Sequence, residues 1–171
     1  MSVKVIQNSI FILLLILLGC SKSEEDILLE AHKKVETVFL KEEKVLEKEH
    51  KSSFSYYIPN HLEVVDQDEY NIILEGNNNV YVIFINNFET PTSKMMFNLA
   101  KVDESLLYES LEKEGMFGYI RVRNSDEEAA LYEVQIGIGG VKVTTNVNLK
   151  DIPNEAEQLM KIAKSIIEET F

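Results

Sequence analysis

The sequence predicts an α+β protein in which helices pack on a mostly antiparallel sheet. Short β-branched and aromatic segments recur between residues 54 and 149 with turn-length connections, and residues 154–171 have the apolar spacing of one helix face. Short turns join strands in an antiparallel way, and an amphipathic helix buries its apolar side on another layer. The predicted order is β-β-β-α-β-β-β-α, after a charged N-terminal helix.

The charged segment at residues 21–53 contains no glycine or proline and predicts one helix over about residues 25–48. Its apolar residues follow a loose helical stripe: Leu28, Ala31, Val35, Val38, Phe39, Val45 and Leu46. Two roles are open. The helix packs on the domain through its middle, or it is a charged stalk that spaces the domain from a membrane. The spacer interpretation is favoured because the second half of the helix has few apolar side chains to bury.

Three strands are predicted in the first half of the domain, at residues 54–58, 70–74 and 80–85. Pro59 ends the first, which is rich in aromatic residues. The third is a continuous β-branched and aromatic run, which is typical of a strand buried on both faces. A helix, broken or double, is then predicted at residues 95–111 from its leucine and methionine spacing.

The second half of the domain predicts three more strands and a closing helix. The strands are expected at residues 117–122, 130–138 and 141–149, with Gly139 and Gly140 as a hairpin turn. Asn154 and Glu157 have the spacing of a capping box, which places the start of the last helix there.

This order, with an aromatic first strand ending at Pro59 and a final amphipathic helix, resembles the PsbP-like fold of bacterial lipoproteins and photosystem extrinsic proteins. The resemblance covers residues 54–171 and is carried by the order of the elements. Leu62 stands near the place where that family usually has a tryptophan. No functional residue is carried over from the family.

The N-terminus resembles the signal peptide of a bacterial lipoprotein. Residues 10–18 are an apolar run, shorter than the roughly 20 residues of a membrane-spanning helix. Leu17 and Gly19 match the lipobox, and Leu18 stands where alanine or serine is usual. Cys20, the chain's single cysteine, stands at the modified position.

This second resemblance implies cleavage before Cys20 and attachment of a diacylglycerol to its thiol, with two or more acyl chains holding the protein on the outer face of the cell membrane. The chain then divides into a signal peptide (1–19), a lipidated N-terminus with a charged helical spacer (20–53) and an α+β globular domain (54–171). The alternatives are an uncleaved anchor, or a secretory signal that happens to end at a cysteine.

The charge excludes some functions. The net charge is −12, and it becomes −13 without residues 1–19, whose single charged residue is Lys4. So acidic a protein is repelled by nucleic-acid phosphates and by anionic lipid surfaces, so we expect no nucleic-acid partner and no docking through a basic patch. A single cysteine permits no intramolecular disulfide and no metal site with two or more cysteines.

No catalytic or metal motif is evident, and no cofactor is expected. His32 and His50 lie in the charged segment, and His61 lies in a loop without metal-binding spacing. Residues 66–69 could offer oxygens to Ca²⁺, but they lack an EF-hand pattern and predict a turn. The aromatic residues are interpreted as sheet core in preference to an apolar groove: Tyr56, Tyr57, Tyr70, Tyr81, Phe84, Tyr119 and Tyr132.

The sequence therefore predicts a membrane-anchored extracytoplasmic lipoprotein whose domain is a binding or accessory module and not an enzyme. Its partners would be membrane lipid through Cys20, and an envelope protein or small ligand through a sheet face or the edge near His61. The alternatives are an envelope hydrolase that uses carboxylates, and a passive spacer lipoprotein.

Overall fold

The structure is a computed structural model that describes residues 22–42, 48–51, 54–101, 104–126 and 128–170. The predicted lipobox (Leu17, Leu18 and Gly19) and Cys20 lie outside these residues. No helix within the described ranges is both long enough and apolar enough to cross a membrane.

The described residues form nine strands: β1 (Lys48–Lys51), β2 (Phe54–Tyr57), β3 (Glu63–Gln67), β4 (Asn71–Gly76), β5 (Asn79–Ile85), β6 (Leu107–Lys113), β7 (Met116–Asn124), β8 (Tyr132–Ile138) and β9 (Val141–Val147). The last seven make one sheet in the order β3-β4-β5-β9-β8-β7-β6, in which every neighbouring pair is antiparallel. β1 and β2 pair separately as a hairpin. The predicted α+β class with an antiparallel sheet is confirmed.

The described helices are α1 (Glu24–Leu40), α2 (Met95–Ala100) and α3 (Ile152–Thr170), with a 3₁₀ turn at Leu149–Asp151 before the last. α1 and α3 share the main hydrophobic core with one face of the sheet, and α2 packs on the other face in a smaller cluster. We call the face opposite α1 and α3 the open face. The pleat alternates side chains between the two faces, so each strand contributes to both.

The hairpin between β8 and β9 matches its prediction. Gly139 has a positive φ of 52°, which an L side chain adopts at a cost. In β9, Val141, Val143, Thr145 and Val147 are buried on the core face, while Lys142, Thr144 and Asn146 are half-buried on the open face. The predicted alternation is confirmed as far as Val147, where the strand ends.

The helix predicted over residues 95–111 is wrong in its second half. Of the described residues in this range, those of α2 are helical, and Leu107–Lys113 is the edge strand β6. Leu107 and Leu111 are four residues apart, a spacing that fits one face of a helix and one face of a strand equally well. Hairpin pairing with the next strand, β7, runs from the turn between Lys113 and Met116 to the far end of β6, and it decides for the strand.

The turn predicted at residues 66–69 is wrong in its first half, because the opposite edge strand, β3, extends to Gln67. Asp66 and Gln67 belong to the strand, and the turn starts at Asp68, whose carboxylate accepts hydrogen bonds from the backbone N–H groups of Tyr70 and Asn71, both at 2.7 Å. β3 is mostly exposed and contains a register shift, so it has no clear period of two in its sequence.

α1 starts as a capped helix and ends earlier than predicted. Ser23 and Asp26 form a capping box. The predicted end near residue 48 is wrong, because the helix stops at Leu40 and residues 48–51 form β1. Val45 and Leu46 lie outside the described residues.

Of the two roles left open for this helix, packing on the domain is the one observed for Glu24–Leu40. Ala31, Val35 and Phe39 are completely buried in the same core as the sheet. Gly118 on β7 makes the contact close, because a Cβ there would lie 2.7 Å from the ring of Phe39. The favoured interpretation as a charged spacer is therefore corrected for α1, which is a layer of the fold.

α3 starts before its predicted capping box. It includes Ile152 and Pro153, and proline is favourable in a first turn, where its missing N–H is not needed. Asn154 and Glu157 bind Lys34 of α1 instead of capping, with Nζ donating at 2.8 Å and 2.9 Å respectively. The two side chains for which local spacing predicted a capping role thus make a tertiary contact with α1.

The C-terminal end of α1 is bound by Lys164, a lysine of α3 that is only 2 % exposed. Its Nζ donates to the carbonyl of Val38 at 3.0 Å and also to the carbonyl of Lys41. The last carbonyls of a helix have no partners within it and carry the negative end of its dipole, so an ammonium group is well placed there. Together with the Lys34 contacts, this shows that α1 and α3 run in the same direction.

We predict that Lys164→Met lowers the free energy of unfolding by about 1–3 kcal/mol, because buried carbonyls at the end of α1 lose their donor. Urea unfolding measures it. Lys161→Met is the matched control on the same helix: its side chain is 39 % exposed and pairs with Glu157 one turn away, so its loss should stay near 0.5 kcal/mol. Equal losses in the two variants would contradict the role given to Lys164.

Candidate functional site

Charged side chains collect on the open face where β7, β8 and β9 meet. In β7, Gly118, Ile120 and Val122 belong to the core face, so Arg121 and Arg123 face the opposite side. The strand registers align Arg121 with Gln135 of β8, and Gln135 with Thr144 of β9. The site is therefore built on the central part of the sheet and not on loops.

α2 forms one wall of this site through a small aromatic cluster. The ring of Phe97 stacks on Tyr108 of β6 with ring centroids 4.4 Å apart, and it meets the edges of Phe117 and Tyr119 of β7. The hydroxyl of Tyr108 donates to the carbonyl of Phe97 at 2.6 Å. These contacts hold the short helix against the sheet beside the arginines.

Gly137 makes room for Tyr119 beneath α2. A Cβ at Gly137 would lie 2.1 Å from the Tyr119 ring, so only glycine permits the ring to lie across the neighbouring strand. Burial raises the pKa of Tyr119 to about 12, and a hydrogen bond from Gln135 opposes that rise. The phenol is thus protonated at neutral pH and takes part in the site as a neutral group.

Gln135 connects Tyr119 to Arg121. Its Nε2 donates to the Tyr119 hydroxyl at 2.5 Å, and its Oε1 accepts from Arg121 Nη2 at 2.7 Å. Arg121 Nη1 also donates to the carbonyl of Ala100, at 3.3 Å, where α2 ends. These hydrogen bonds fix the buried guanidinium in one orientation.

Glu133 lies between the two arginines. Its carboxylate accepts from Arg123 Nε at 3.0 Å and Nη2 at 2.9 Å, a bidentate geometry, and it also accepts from Arg121 Nη2. Burial lowers the pKa of Arg121, and the charge of Glu133 opposes this. The hydrogen bond with Glu133 raises the pKa of Arg123. Both guanidinium groups are charged at neutral pH.

A cavity of about 340 Å³ opens beside this network. Strands β7, β8 and β9 supply its polar wall: Arg121, Arg123, Glu133, Gln135, Lys142 and Thr144. Met96, Leu99 and Ala100 of α2 supply its apolar wall. The volume lies at the lower end of the range of small-molecule sites, roughly 300–1,000 Å³.

The lining of this cavity is positively charged in a protein that is strongly acidic. Three cations, Arg121, Arg123 and Lys142, face a single lining carboxylate, Glu133. Within the described part of the chain no carboxylate pairs with Lys142, whose Nζ lies 5.6 Å from the centroid of the Phe84 ring. The cavity therefore favours an anion.

Sequence reasoning missed this site, although one signal was present. Arg121 and Arg123 are the chain's two arginines, and they stand two residues apart in an otherwise apolar strand. That spacing places both on one face of a strand. The partners Gln135 and Lys142 come from other strands, and only the registers bring them to the arginines.

The structure does not bring the sequence-predicted residues together. His61 is exposed in the turn before β3, His32 lies on α1, and His50 belongs to β1. Among the described residues, no three His, Cys, Asp or Glu side chains are grouped so that they could hold a metal ion.

The aromatic residues do not line one groove. Tyr56 and Tyr81 are fully buried in the main core, which confirms the core interpretation for both. Tyr119 and Phe84 belong to the cluster under α2, on the other face of the sheet. Tyr70 is 38 % exposed.

Two further depressions adjoin α1. One, of about 770 Å³, lies near its start and includes Lys22 and Tyr132. The other, of about 630 Å³, lies between α1 and β6, where Leu28, Leu29 and Leu106 meet His32. Neither has a fixed network of charged side chains like that of the open face.

A separate carboxyl group, Glu155 of α3, lies on the core side of the sheet. Burial raises the pKa of Glu155, while a hydrogen bond from the Tyr81 hydroxyl, 3.0 Å away, and the charge of His61 oppose the rise. Two residues along the helix, Glu157 behaves in the opposite way. Burial raises its pKa, but hydrogen bonds from Lys161 and Lys34 outweigh burial and lower it overall.

No family model matches this sequence, and no curated protein matches it either. The two resemblances stated above, to lipoprotein signal peptides and to the PsbP-like fold, therefore stay predictions.

These pKa directions give Glu155→Gln and Glu157→Gln opposite pH dependences. Because the folded pKa of Glu155 lies above the ordinary 4.5, wild type loses stability as pH rises through that folded pKa. Glu155→Gln removes the titrating group and so avoids this loss. Its free energy of unfolding should therefore rise relative to that of wild type above about pH 4.5 and not below it. Glu157→Gln should be less stable than wild type at neutral pH, and the difference should close in acid as wild-type Glu157 is protonated.

Urea unfolding of the three proteins between about pH 3 and pH 7 measures both trends. The two variants serve as controls for each other, because each removes one carboxylate from the same helix. Parallel pH profiles for the two would contradict the assigned directions.

Proposed function

We propose that this protein is a lipid-anchored extracytoplasmic binding module without catalytic activity, whose open face contacts a ligand or an envelope partner. The observation that carries the binding role is the basic cavity. Its two arginines are fixed by Gln135, Glu133 and the carbonyl of Ala100 before any ligand arrives. Preorganised charges of this kind reduce the entropic cost of binding.

The contents of the cavity support binding over hydrolysis. A hydrolase that uses carboxylates needs two of them with separated roles, one as acid and one as base or nucleophile. Glu133 is the carboxylate in the cavity lining, and it accepts hydrogen bonds from both arginines. Glu155, whose pKa is raised, lies on the other side of the sheet.

A passive spacer has no use for such a cavity. Burying Arg121 costs free energy that only a complete set of partners offsets, and an apolar residue would serve a spacer at least as well. The retention of a 6 % exposed arginine beside a cavity therefore supports a binding role.

The start of α1 supports an anchor that holds the folded part close to the membrane. The N-cap of α1 is Ser23, three residues after Cys20. Three residues of extended chain span at most roughly 11 Å. A lipid on Cys20 would thus hold the start of the helix near the headgroups, without a long linker.

We predict that radiolabelled palmitate labels the wild-type protein and that Cys20→Ser abolishes the label, because the serine hydroxyl does not replace the thiol as the acyl-bearing nucleophile. In the same cells, wild type should fractionate with membranes and begin at Cys20. An unlabelled mature chain that still begins at Met1 would contradict the anchor. Ser21→Ala, the neighbouring hydroxyl, is the control and should be labelled like wild type.

The binding role is tested by a photo-crosslinking residue in place of Val82, which lies on the open face and is 38 % exposed. Illumination in intact cells should give an adduct of one discrete mass, whether the partner is a protein or a small molecule. The same residue at Glu36, which is exposed on α1, is the control. Equal adducts at both positions, or none at Val82, would contradict a binding role for the open face.

A further inference from the structure

We propose that the cavity on the open face binds a small organic monoanion, a carboxylate with a short apolar tail. The carboxylate binds between Lys142 and Arg121, and the tail lies along α2. This inference rests on the proposed function, because it names the ligand class for the binding module.

Lys142 is the first reason to expect a carboxylate. Its register neighbours on the open face are Gly137 on β8 and Phe84 on β5, neither of which offers an anionic side chain. Thr144, two residues along the same strand, lines the same cavity and adds a hydroxyl. An ammonium group beside a hydroxyl at the wall of a cavity is suited to an anionic oxygen.

Arg121 is the second reason. Its Nη atoms bind Ala100, Gln135 and Glu133, but its Nε–H is buried and has no acceptor among the described residues. A buried donor without an acceptor costs about 1–3 kcal/mol. The Arg121 side chain lines the cavity, so a ligand oxygen that displaces the groups covering Nε would remove that cost.

The apolar wall of the cavity is the reason to expect an apolar tail on the ligand. Met96 and Ala100 are buried, and Leu99 is 72 % exposed at the same wall. A leucine so exposed beside a basic cavity offers apolar surface to a ligand that enters it. The volume of about 340 Å³ accommodates a short tail of this kind.

The charge balance favours a monoanion over a dianion such as phosphate. Glu133 and Asp126 already pair with the arginines, so three cations are opposed by two carboxylates and one positive charge is left. The protein as a whole carries −12, which repels a dianion more strongly than a monoanion.

Hexanoate is the probe, and hexanamide is its neutral counterpart of equal shape. We expect hexanoate to shift the backbone amide NMR signals of Gln135 and Thr144 in a saturable way, with the whole lipidated chain in non-ionic detergent. Hexanamide and inorganic phosphate should bind at least about fivefold more weakly, as expected when a charge-assisted hydrogen bond is lost or mismatched.

Lys142→Gln should weaken hexanoate binding by at least about fivefold, and Lys142→Arg should largely restore it, because the positive charge returns. Lys150→Gln is the control: it removes the same charge from an exposed residue outside this cavity. Unshifted signals elsewhere in the spectrum would show that each variant is folded.

Three results would overturn the inference: hexanamide binding as tightly as hexanoate, phosphate binding more tightly, or Lys142→Gln binding like wild type. The crosslink at Val82 separates these failures from failure of the proposed function. A discrete adduct at Val82 without hexanoate binding would mean a binding module with a different ligand. If neither the adduct nor hexanoate binding is observed, both the ligand class and the binding role are wrong.

Discussion

The structure depends on burying the core face of the sheet under α1 and α3. Burial of apolar surface stabilises a fold by roughly 25 cal/mol per Å², so a face of β-branched and aromatic side chains needs a continuous cover. α3 alone would leave the core face of β6 and β7 uncovered. α1 covers it by placing Phe39 over Gly118. The helix that looked like a charged stalk is therefore required for the core.

The position of α1 and α3 decides on which face of the sheet charged side chains can lie. Both helices lie on one side, so polar side chains of the same strands are directed to the open face. The open-face side chains of β7 are still shielded from water, because α2 packs on that strand and leaves Arg121 only 6 % exposed. Arg121 and Arg123 can be retained in such a place because Glu133 and Gln135 stand opposite them in register. The cavity and its charge are thus consequences of the same alternation that builds the core.

The two helices are also bound to each other by charged contacts at well-separated points. Lys34 of α1 binds the first turns of α3, and Lys164 of α3 binds the last carbonyls of α1. Both contacts lie in the second half of α1, while Ile27 and Leu28 in its first half are held by burial in the core. Its N-cap, Ser23, stands three residues after the predicted lipid anchor, Cys20. In the proposed function, a lipid on Cys20 would hold this end of the fold near the membrane surface.

The sequence by itself determined what short-range patterns encode. The alternation of β9, the glycine hairpin before it and the amphipathic closing helix all followed from local spacing, and so did the α+β class. The folded structure alone decided that residues 107–113 and residues 63–67 form the two edge strands, because each pairs in a hairpin with the strand that follows it and this pairing outweighs an ambiguous local period. It also decided that α1 joins the core, because burial against distant strands outweighs the charged composition of that helix. It also decided the candidate site, because the residues that bind Arg121 lie on separate strands and on α2, and no local pattern encodes their register.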